Sequence, residues 1–528
     1  MSQPPPLPAA AGEPLRLTID GRETAAPAGA TVLAAARALG CDIPTLCDAP
    51  GCAPSASCLV CVVRDLRRGR LIPSCAAPVE AGMRIETDTA DVREARRVAV
   101  ELLLSEHVGD CEGPCRRGCP AHVDAPAVLR LIAAGRTDEA LQCLRQRIAL
   151  PGVIGRLCHA PCERVCRRGA ADEPLAIRGL ERWLAERSGA AGAAALPPAR
   201  QRAVVVGAGP AGLSAAYHLR RGGCACVVLD AGPTPGGSLR SVPEAELPAA
   251  VLAADVAALR HAGVAFELGR RLSAPAELRA AADVVVLAPG ARGGAWLRAA
   301  APALAPLPEH SGAALLSDGR GMFACGSAVQ PRRRVIQALA DGWAAAEEAL
   351  AFLRRERPGP RRRFDCRLGR LLPGELAEFL QEAEGGAAVR PARPELGYDA
   401  AEAAREARRC LRCDCRRRSD CRLREAAERC GASQTAYHGT ERARVERRRD
   451  HPRIVFEPGK CIRCGLCIQT AAQAGEPLGL AFLGRAYGVR VGPPFNAALA
   501  AALTRSAAAC VAICPTGALA WREELEQP

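Results

Sequence analysis

Most of the 27 cysteines in this 528-residue chain fall into four groups, and they are the residues best equipped to do chemistry. The first group, Cys47, Cys58, Cys61 and Cys75, is a loop thiol, a close C-x-x-C pair and a distant fourth thiol. Each iron of a 2Fe-2S cluster takes two thiolates, which this spacing supplies, whereas a zinc ribbon needs two close pairs. Cys41 and Cys52 are left as spare thiols. The second group is two triplets, Cys111, Cys115 and Cys119, then Cys158, Cys162 and Cys166, each with three residues between successive cysteines. Two 4Fe-4S cubanes need eight ligands, so six thiols leave two positions to other donors. The third group sets Cys410, Cys413, Cys415 and Cys421 within twelve residues, with Cys430 beyond, and its spacing fits a 4Fe-4S cluster and zinc alike. In the fourth, Cys461, Cys464 and Cys467 join the Cys514-Pro515 pair, as when three cysteines of one ferredoxin run share a cubane with the Cys-Pro of another.

A different site is written in AVVVGAGPAGLSAAYHLRRGGCACVVLDAG. Gly207, Gly209 and Gly212 lie between a strand and a helix, and Asp230 ends the next strand. Glycines there let the backbone approach a pyrophosphate at the helix N-terminus, and the acid can accept from ribose hydroxyls. Gly236 and Gly237 follow in PGGSLR.

These residues need several modules to hold them. A Pro/Ala tail leads into strand-like LRLTID, a Gly21 turn and a helix-like TVLAAARALG, giving a first domain over 14–90. Apolar spacings of three and four in VREARRVAVELLL and APAVLRLIAAG predict a helical domain over 91–187. Short Val-rich strands alternating with helices predict a parallel-sheet domain over 201–355. SGAAGAAALPPAR and RRERPGPRRR read as linkers. A cysteine-rich helical segment over 396–450 precedes a compact ferredoxin-like end at 451–528. The expected fold class is multi-domain, α+β and α/β together.

Composition narrows the function. A chain this long needs no disulfides to compensate for a small core, and MSQPPPLPAAAGEP lacks the basic and apolar regions of a secretory signal, so reduced thiols in the cytoplasm are expected. No charge-free apolar stretch is long enough to span a bilayer. The formal charge of +14 comes almost wholly from arginine, Lys460 being the only lysine. Aromatics for stacking bases are scarce and metal-bound thiolates would offset the charge, which argues against nucleic acid as a partner.

The phrases IPTLC and GMRIET around the first group resemble the N-terminal domain of the large iron-sulfur subunit of respiratory complex I and of iron hydrogenases, a β-grasp fold. SEHVGDCEGPCRRGCPAHVDAP with LPGVIGRLCHAPCERVCRRG resembles the helical domain of the glutamate synthase small subunit and of dihydropyrimidine dehydrogenase. That resemblance implies one cluster on Cys119, Cys158 and Cys162 with Glu181. It implies another on Cys111, Cys115 and Cys166, with His107 where the family has cysteine. EARRCLRCDC resembles segments that accompany the flavin domain in the same relatives, which favours iron-sulfur at Cys410–Cys421. The glycine motif and PGGSLR resemble their FAD domain, so the dinucleotide implied is FAD. Two departures stand out. The family's second Rossmann domain, for NADPH, is missing between DVVVLAPG and GMFACGS, and its Gly-Asp pair is here Gly326-Ser327. The C-terminal segment resembles the complex I ferredoxin module with its second cluster erased, Ala471, Thr504 and Ala507 standing where cysteines would be and Cys510 surviving.

Together these readings imply an electron-transfer subunit with FAD, one 2Fe-2S and three or four 4Fe-4S clusters. Its expected partner is a catalytic redox subunit of nicotinamide-flavin, hydrogenase or formate dehydrogenase type. The alternatives are a self-sufficient FAD-dependent oxidoreductase, marked by flavin reduction without partners, and a metal-stabilised scaffold, marked by zinc in place of iron.

Overall fold

The computed structural model describes residues 13–187, 196, 199–272, 275–307, 315–332, 334–356, 364–437, 439 and 442–522. The two expected linkers lie largely outside these residues. The chain forms two compact units, one of Met1–Glu112, Arg363–Glu378 and Asp414–Pro528, the other of Gly113–Arg362 and Phe379–Cys413.

The first unit begins with a hairpin of β1 (Leu15–Ile19) and β2 (Arg22–Ala26). Asp20 and Gly21 both have positive φ, 49° and 75°, as a two-residue turn between right-twisted strands requires. Helix Val32–Ala38 starts at Thr31, whose hydroxyl accepts from the Ala34 amide at 3.2 Å. With β3 (Val62–Asp65), β4 (Arg70–Pro73) and β5 (Arg84–Glu86) the sheet has the order β2-β1-β5-β3-β4, parallel only between β1 and β5. Leu17, Ile19, Leu33, Val63 and Ile85 form its core. Helix Ala90–Ser105 is fixed to β3 by Arg96, which donates to the Val62 carbonyl at 3.2 and 2.8 Å. Toward the C-terminus Ile454–Phe456 pairs antiparallel with Leu519–Trp521, and helices Leu466–Gln473 and Ala507–Ile513 pack together.

In the second unit, short helices over 114–187 bury Leu129, Leu144, Ile154 and Trp183 in a core shared with the sheet that follows. That sheet contains β6 (Gln201–Val206), β7 (Cys224–Asp230), β8 (Val264–Leu268), β9 (Val284–Leu287), β10 (Ala305–Pro306), β11 (Leu315–Ser317) and β12 (Met322–Cys325). Its order is β10-β11-β12-β9-β6-β7-β8, with the run from β12 to β8 parallel. Every residue of β9 and β12 is buried, which is how strands covered on both faces read. Helices Pro210–Arg221 and Val335–Leu353 approach so closely that a Cβ at Gly342 would strike the Ala211 carbonyl.

Asp255, on helix Ala249–His261, caps a neighbouring helix from outside, accepting from the Gly152 and Val153 amides at 3.2 and 2.9 Å. Asp255→Ala leaves both amides without that acceptor and is expected to cost about 1 kcal/mol. A thermal unfolding curve matching the parent's would contradict this.

Candidate cofactor sites

In the first unit Cys47, Cys58, Cys61 and Cys75 come together, all buried, from the loops flanking β3 and β4. Hydrogen bonds from Cys58 and Cys75 pull the Cys47 thiol far below its ordinary value and push theirs far above it. Cys61 is held low by Cys75 in the same way. Cys41 stands apart on Arg22 and Asp20. The second thiol set of this unit draws on distant chain. Cys415 donates its amide to the Cys111 carbonyl at 3.3 Å, and Cys421 is buried in one apolar core with Cys366 and Cys464, against which Cys111 packs. Cys366, which carried no signal in the sequence because it stands alone in FDCRLG, has its amide 3.3 Å from the Cys111 sulfur.

His107 belongs to this unit too. Its ring has a buried Nδ1 without a partner, and burial followed by the Lys460 charge lowers its pKa to about 4. Cys461, Cys464, Cys467 and Cys514 line one small pocket together with Phe456 and Ile462. Glu476 holds the turn from Thr504 to Ser506. It accepts from the Thr504, Arg505 and Ser506 amides at 3.0, 2.6 and 2.7 Å and from the Thr504 and Ser506 hydroxyls. Against the burial that would raise it, these donors, the Thr504 hydroxyl foremost, hold the carboxyl at about 2. Cys510 is buried nearby, its thiol directed to the Cys467 carbonyl at 3.6 Å.

The second unit holds Cys119, Cys158 and Cys162, all buried, around Glu181. Burial, then the Glu163 charge, raises Glu181 to about 8, and the Glu181 charge in turn adds to the burial that raises each of the three thiols. Cys115, Cys166 and Cys410 pack half-buried against this unit's core, and Cys413 lies in the same unit. A pair of buried arginines joins the segments that follow Cys166 and precede Cys410. Arg168 grips Asp172 at 2.8 and 2.6 Å and donates to the Arg409 carbonyl at 3.2 Å. Arg409 reaches Asp172 at 2.9 Å and Glu406 at 2.7 Å. The third sequence group is thereby divided, Cys410 and Cys413 in one unit, Cys415 and Cys421 in the other. Among the described residues no three His, Cys, Asp or Glu side chains close on a point as a single metal ion needs.

The glycine loop lies between β6 and helix Pro210–Arg221. A Cβ at Gly207, φ 107°, would strike the Ala288 carbonyl, and one at Gly212 the Gly207 carbonyl, while at Gly209 it would meet no protein atom within 4 Å. Gly209 is the open position through which a pyrophosphate can approach. Gly236 donates its amide to the Ala208 carbonyl at 2.8 Å, and a Cβ on Gly237 would come within 2.8 Å of Gly209 Cα. Gly326, φ 74°, starts the turn Gly326–Ala328, which contains Ser327, and its own Cβ would crowd Ala211. Asp230 accepts the Ala208 and Gly232 amides at 2.6 and 2.7 Å, so its carboxylate braces the glycine loop itself.

Residues 12–90 match the 2Fe-2S iron-sulfur cluster binding domain, 90–193 the 4Fe-4S dihydropyrimidine dehydrogenase domain II, and 205–271 the NAD(P)-binding Rossmann-like domain. The chain is a homologue of oxidoreductase subunits. It is 38% identical over 206 residues to NADP(+)-dependent formate dehydrogenase subunit beta of Moorella thermoacetica, covering 34% of this chain and 29% of that one. Identity to the glutamate synthase (NADPH) small chain of Mycobacterium tuberculosis is 35% over 196 residues, 35% of this chain and 40% of that one. With NADP-reducing hydrogenase subunit HndD of Solidesulfovibrio fructosivorans it is 49% over 102 residues, 18% of this chain and 17% of that one. The homologue thus spans well under half the length of each relative. The resemblance to glutamate synthase small chains, joined to iron-sulfur modules of formate dehydrogenase and hydrogenase type, rests on these matches. Among the described residues no helix is long and apolar enough to cross a membrane.

Gly209 and Gly212 separate ligand approach from packing. Gly209→Ala is expected to fold within about 0.5 kcal/mol of the parent yet bind its dinucleotide roughly tenfold or more weakly. Gly212→Ala should lower the melting temperature even without ligand. Thermal unfolding and dinucleotide titration check both, and equal binding by Gly209→Ala would contradict the assignment.

Proposed function

We propose that the chain is a FAD- and iron-sulfur-dependent electron-transfer subunit of a cytoplasmic oxidoreductase complex, relaying electrons between a catalytic partner subunit and a second acceptor. The partner is of nicotinamide-flavin, hydrogenase or formate dehydrogenase type. In this reading 14–90 is a β-grasp 2Fe-2S domain on Cys47, Cys58, Cys61 and Cys75, and 451–528 a ferredoxin-like domain whose cubane takes Cys461, Cys464, Cys467 and Cys514. Within 91–187, Cys119, Cys158, Cys162 and Glu181 hold another 4Fe-4S cluster.

The observation that carries the reading is the placement of thiols from several groups in one apolar core. Cys47 and Cys58, Cys421, and Cys464 are buried in a single cluster, and the Cys47 charge reaches Cys464. Redox centres held in such a core are screened from water and near enough to pass electrons. The thiol sets also fit the groups proposed for them: metal ligation removes the thiol protons, and iron neutralises the thiolates that remain.

FAD, when bound, supplies the exchange between hydride and single-electron chemistry. The chain's own residues hold it. The first amides of helix Pro210–Arg221 favour the pyrophosphate, Gly209 admits it, and Asp230 fixes the loop that presents those amides. Between β9 and β12 the described residues add only the short helical turn Ala291–Gly293, helix Gly294–Ala300 and the antiparallel strands β10 and β11. A nicotinamide ring placed against the flavin needs a binding domain of its own, as the glutamate synthase resemblance implies. Isolated, flavin-loaded protein is therefore expected to be reduced by dithionite and scarcely by NADH or NADPH, with fast reduction restored by the partner. Stopped-flow bleaching of the flavin by either nicotinamide alone, at a catalytically useful rate, would contradict this.

A further inference from the structure

Resting on the iron-sulfur reading above, the structure assigns one more cluster site: we propose that Cys111, Cys366, Cys415 and Cys421 hold a 4Fe-4S cluster, with the isolated Cys366 as its fourth ligand. Local spacing links only Cys415 to Cys421, and the four residues come from three separate stretches of chain, yet all four lie in the first unit. The Cys111 amide donates to the Cys366 carbonyl at 3.0 Å, and the Cys366 amide returns to the Cys111 sulfur at 3.3 Å. The Cys415 amide reaches the Cys111 carbonyl at 3.3 Å. Next to them, the Cys421 thiol is directed at the Pro515 carbonyl at 3.9 Å, and the Leu423 amide donates to that same carbonyl.

Cys366, Cys415 and Cys421 are nearly inaccessible, 2%, 6% and 7% exposed, so a group held by them would be shielded from water. The surrounding loops are fitted to this point. Asp110 accepts the Leu368 amide at 3.0 Å, and Asp365 accepts the Glu112 amide at 3.1 Å, so the 110–112 and 365–368 segments are fastened to each other on both sides of the two cysteines. Gly517 admits Cys415, because a Cβ there would strike its sulfur.

Three cations lie among these thiols. Lys460, buried and paired with Glu457 at 2.8 Å, is the leading opposite charge at Cys415. Arg424, which bonds Glu112 at 3.0 Å, acts on Cys111, and Arg417 feels the Cys421 charge. The assignment also sorts the third sequence group. Cys415 and Cys421 serve this site, and Cys410 and Cys413 are left in the second unit with Cys115 and Cys166, where the Arg168 and Arg409 contacts join the adjoining segments.

The test is made on full-length protein, isolated anaerobically and reconstituted with ferrous iron and sulfide. Cys366→Ala should lose about four iron and four sulfide per chain while keeping its flavin and the 2Fe-2S EPR signal. Cys143→Ala, a thiol outside every site described, should keep the full iron content. Cys366→Ser, which offers oxygen in place of sulfur, should keep the iron but change the EPR line shape and midpoint potential of one 4Fe-4S centre. If Cys366→Ala loses all cofactors together, the serine variant decides, and an unchanged spectrum and potential there overturns the proposal. Full iron in Cys366→Ala overturns it as well, as does loss of this iron in His107→Ala but not in Cys366→Ala, which would give the fourth position to histidine. Zinc or no metal in the wild-type protein would instead overturn the iron-sulfur reading on which the proposal rests.

Discussion

A thiolate left in an apolar interior without a counter-charge is too costly to persist, and the first unit is assembled around buried thiols. Cys47, Cys58, Cys366, Cys421 and Cys464 lie in one core with Leu46, Val100, Leu104 and Leu466, and Cys111 packs against it. The chain must leave this unit after Glu112, return for Arg363–Glu378, leave again and re-enter at Asp414. Local secondary structure does not demand that path. Bringing the thiols together does, and Lys460, Arg417 and Arg424 lie among them, paired with Glu457, Asp420 and Glu112.

The second unit solves the same problem with different means. Its Cys119, Cys158 and Cys162 are gathered by short helices around Glu181, while Arg168 and Arg409 join the neighbourhoods of Cys166 and Cys410 through Asp172 and Glu406. A buried arginine needs partners for its charge, and the terminal nitrogens of both guanidinium groups meet carboxylates and carbonyls. The glycine loop meets a packing constraint: Gly207 and Gly212 are required by the protein's own backbone, and Gly209 is left open for a ligand.

Local chemistry was legible in the sequence, and long-range assembly was not. The Gly21 turn, the helix after Thr31, the amphipathic helix Ala90–Ser105 and the alternation of β6 to β9 with helices all follow from residues close together in the chain. So does the gathering of Cys47, Cys58, Cys61 and Cys75, and of Cys461, Cys464 and Cys467 with Cys514. Cys366 was invisible because a lone cysteine in a polar segment has no periodicity to reveal its neighbour. The compact run Cys410–Cys421 looked like one site, yet its two halves fall in different units. Spacing reports which thiols are near along the chain, and only the fold reports which are near in space. The Glu476 network on Thr504, Arg505 and Ser506 likewise had no signal in the sequence, because an isolated acid 28 to 30 residues from its donors has no pattern to reveal it.

The most direct measurement for the account as a whole is Mössbauer spectroscopy with iron and sulfide analysis on anaerobically prepared, full-length protein. One 2Fe-2S and three or four 4Fe-4S clusters, roughly fourteen to eighteen iron per chain, is the expected result. A preparation dominated by zinc, or one with iron enough for a single cluster only, would contradict it.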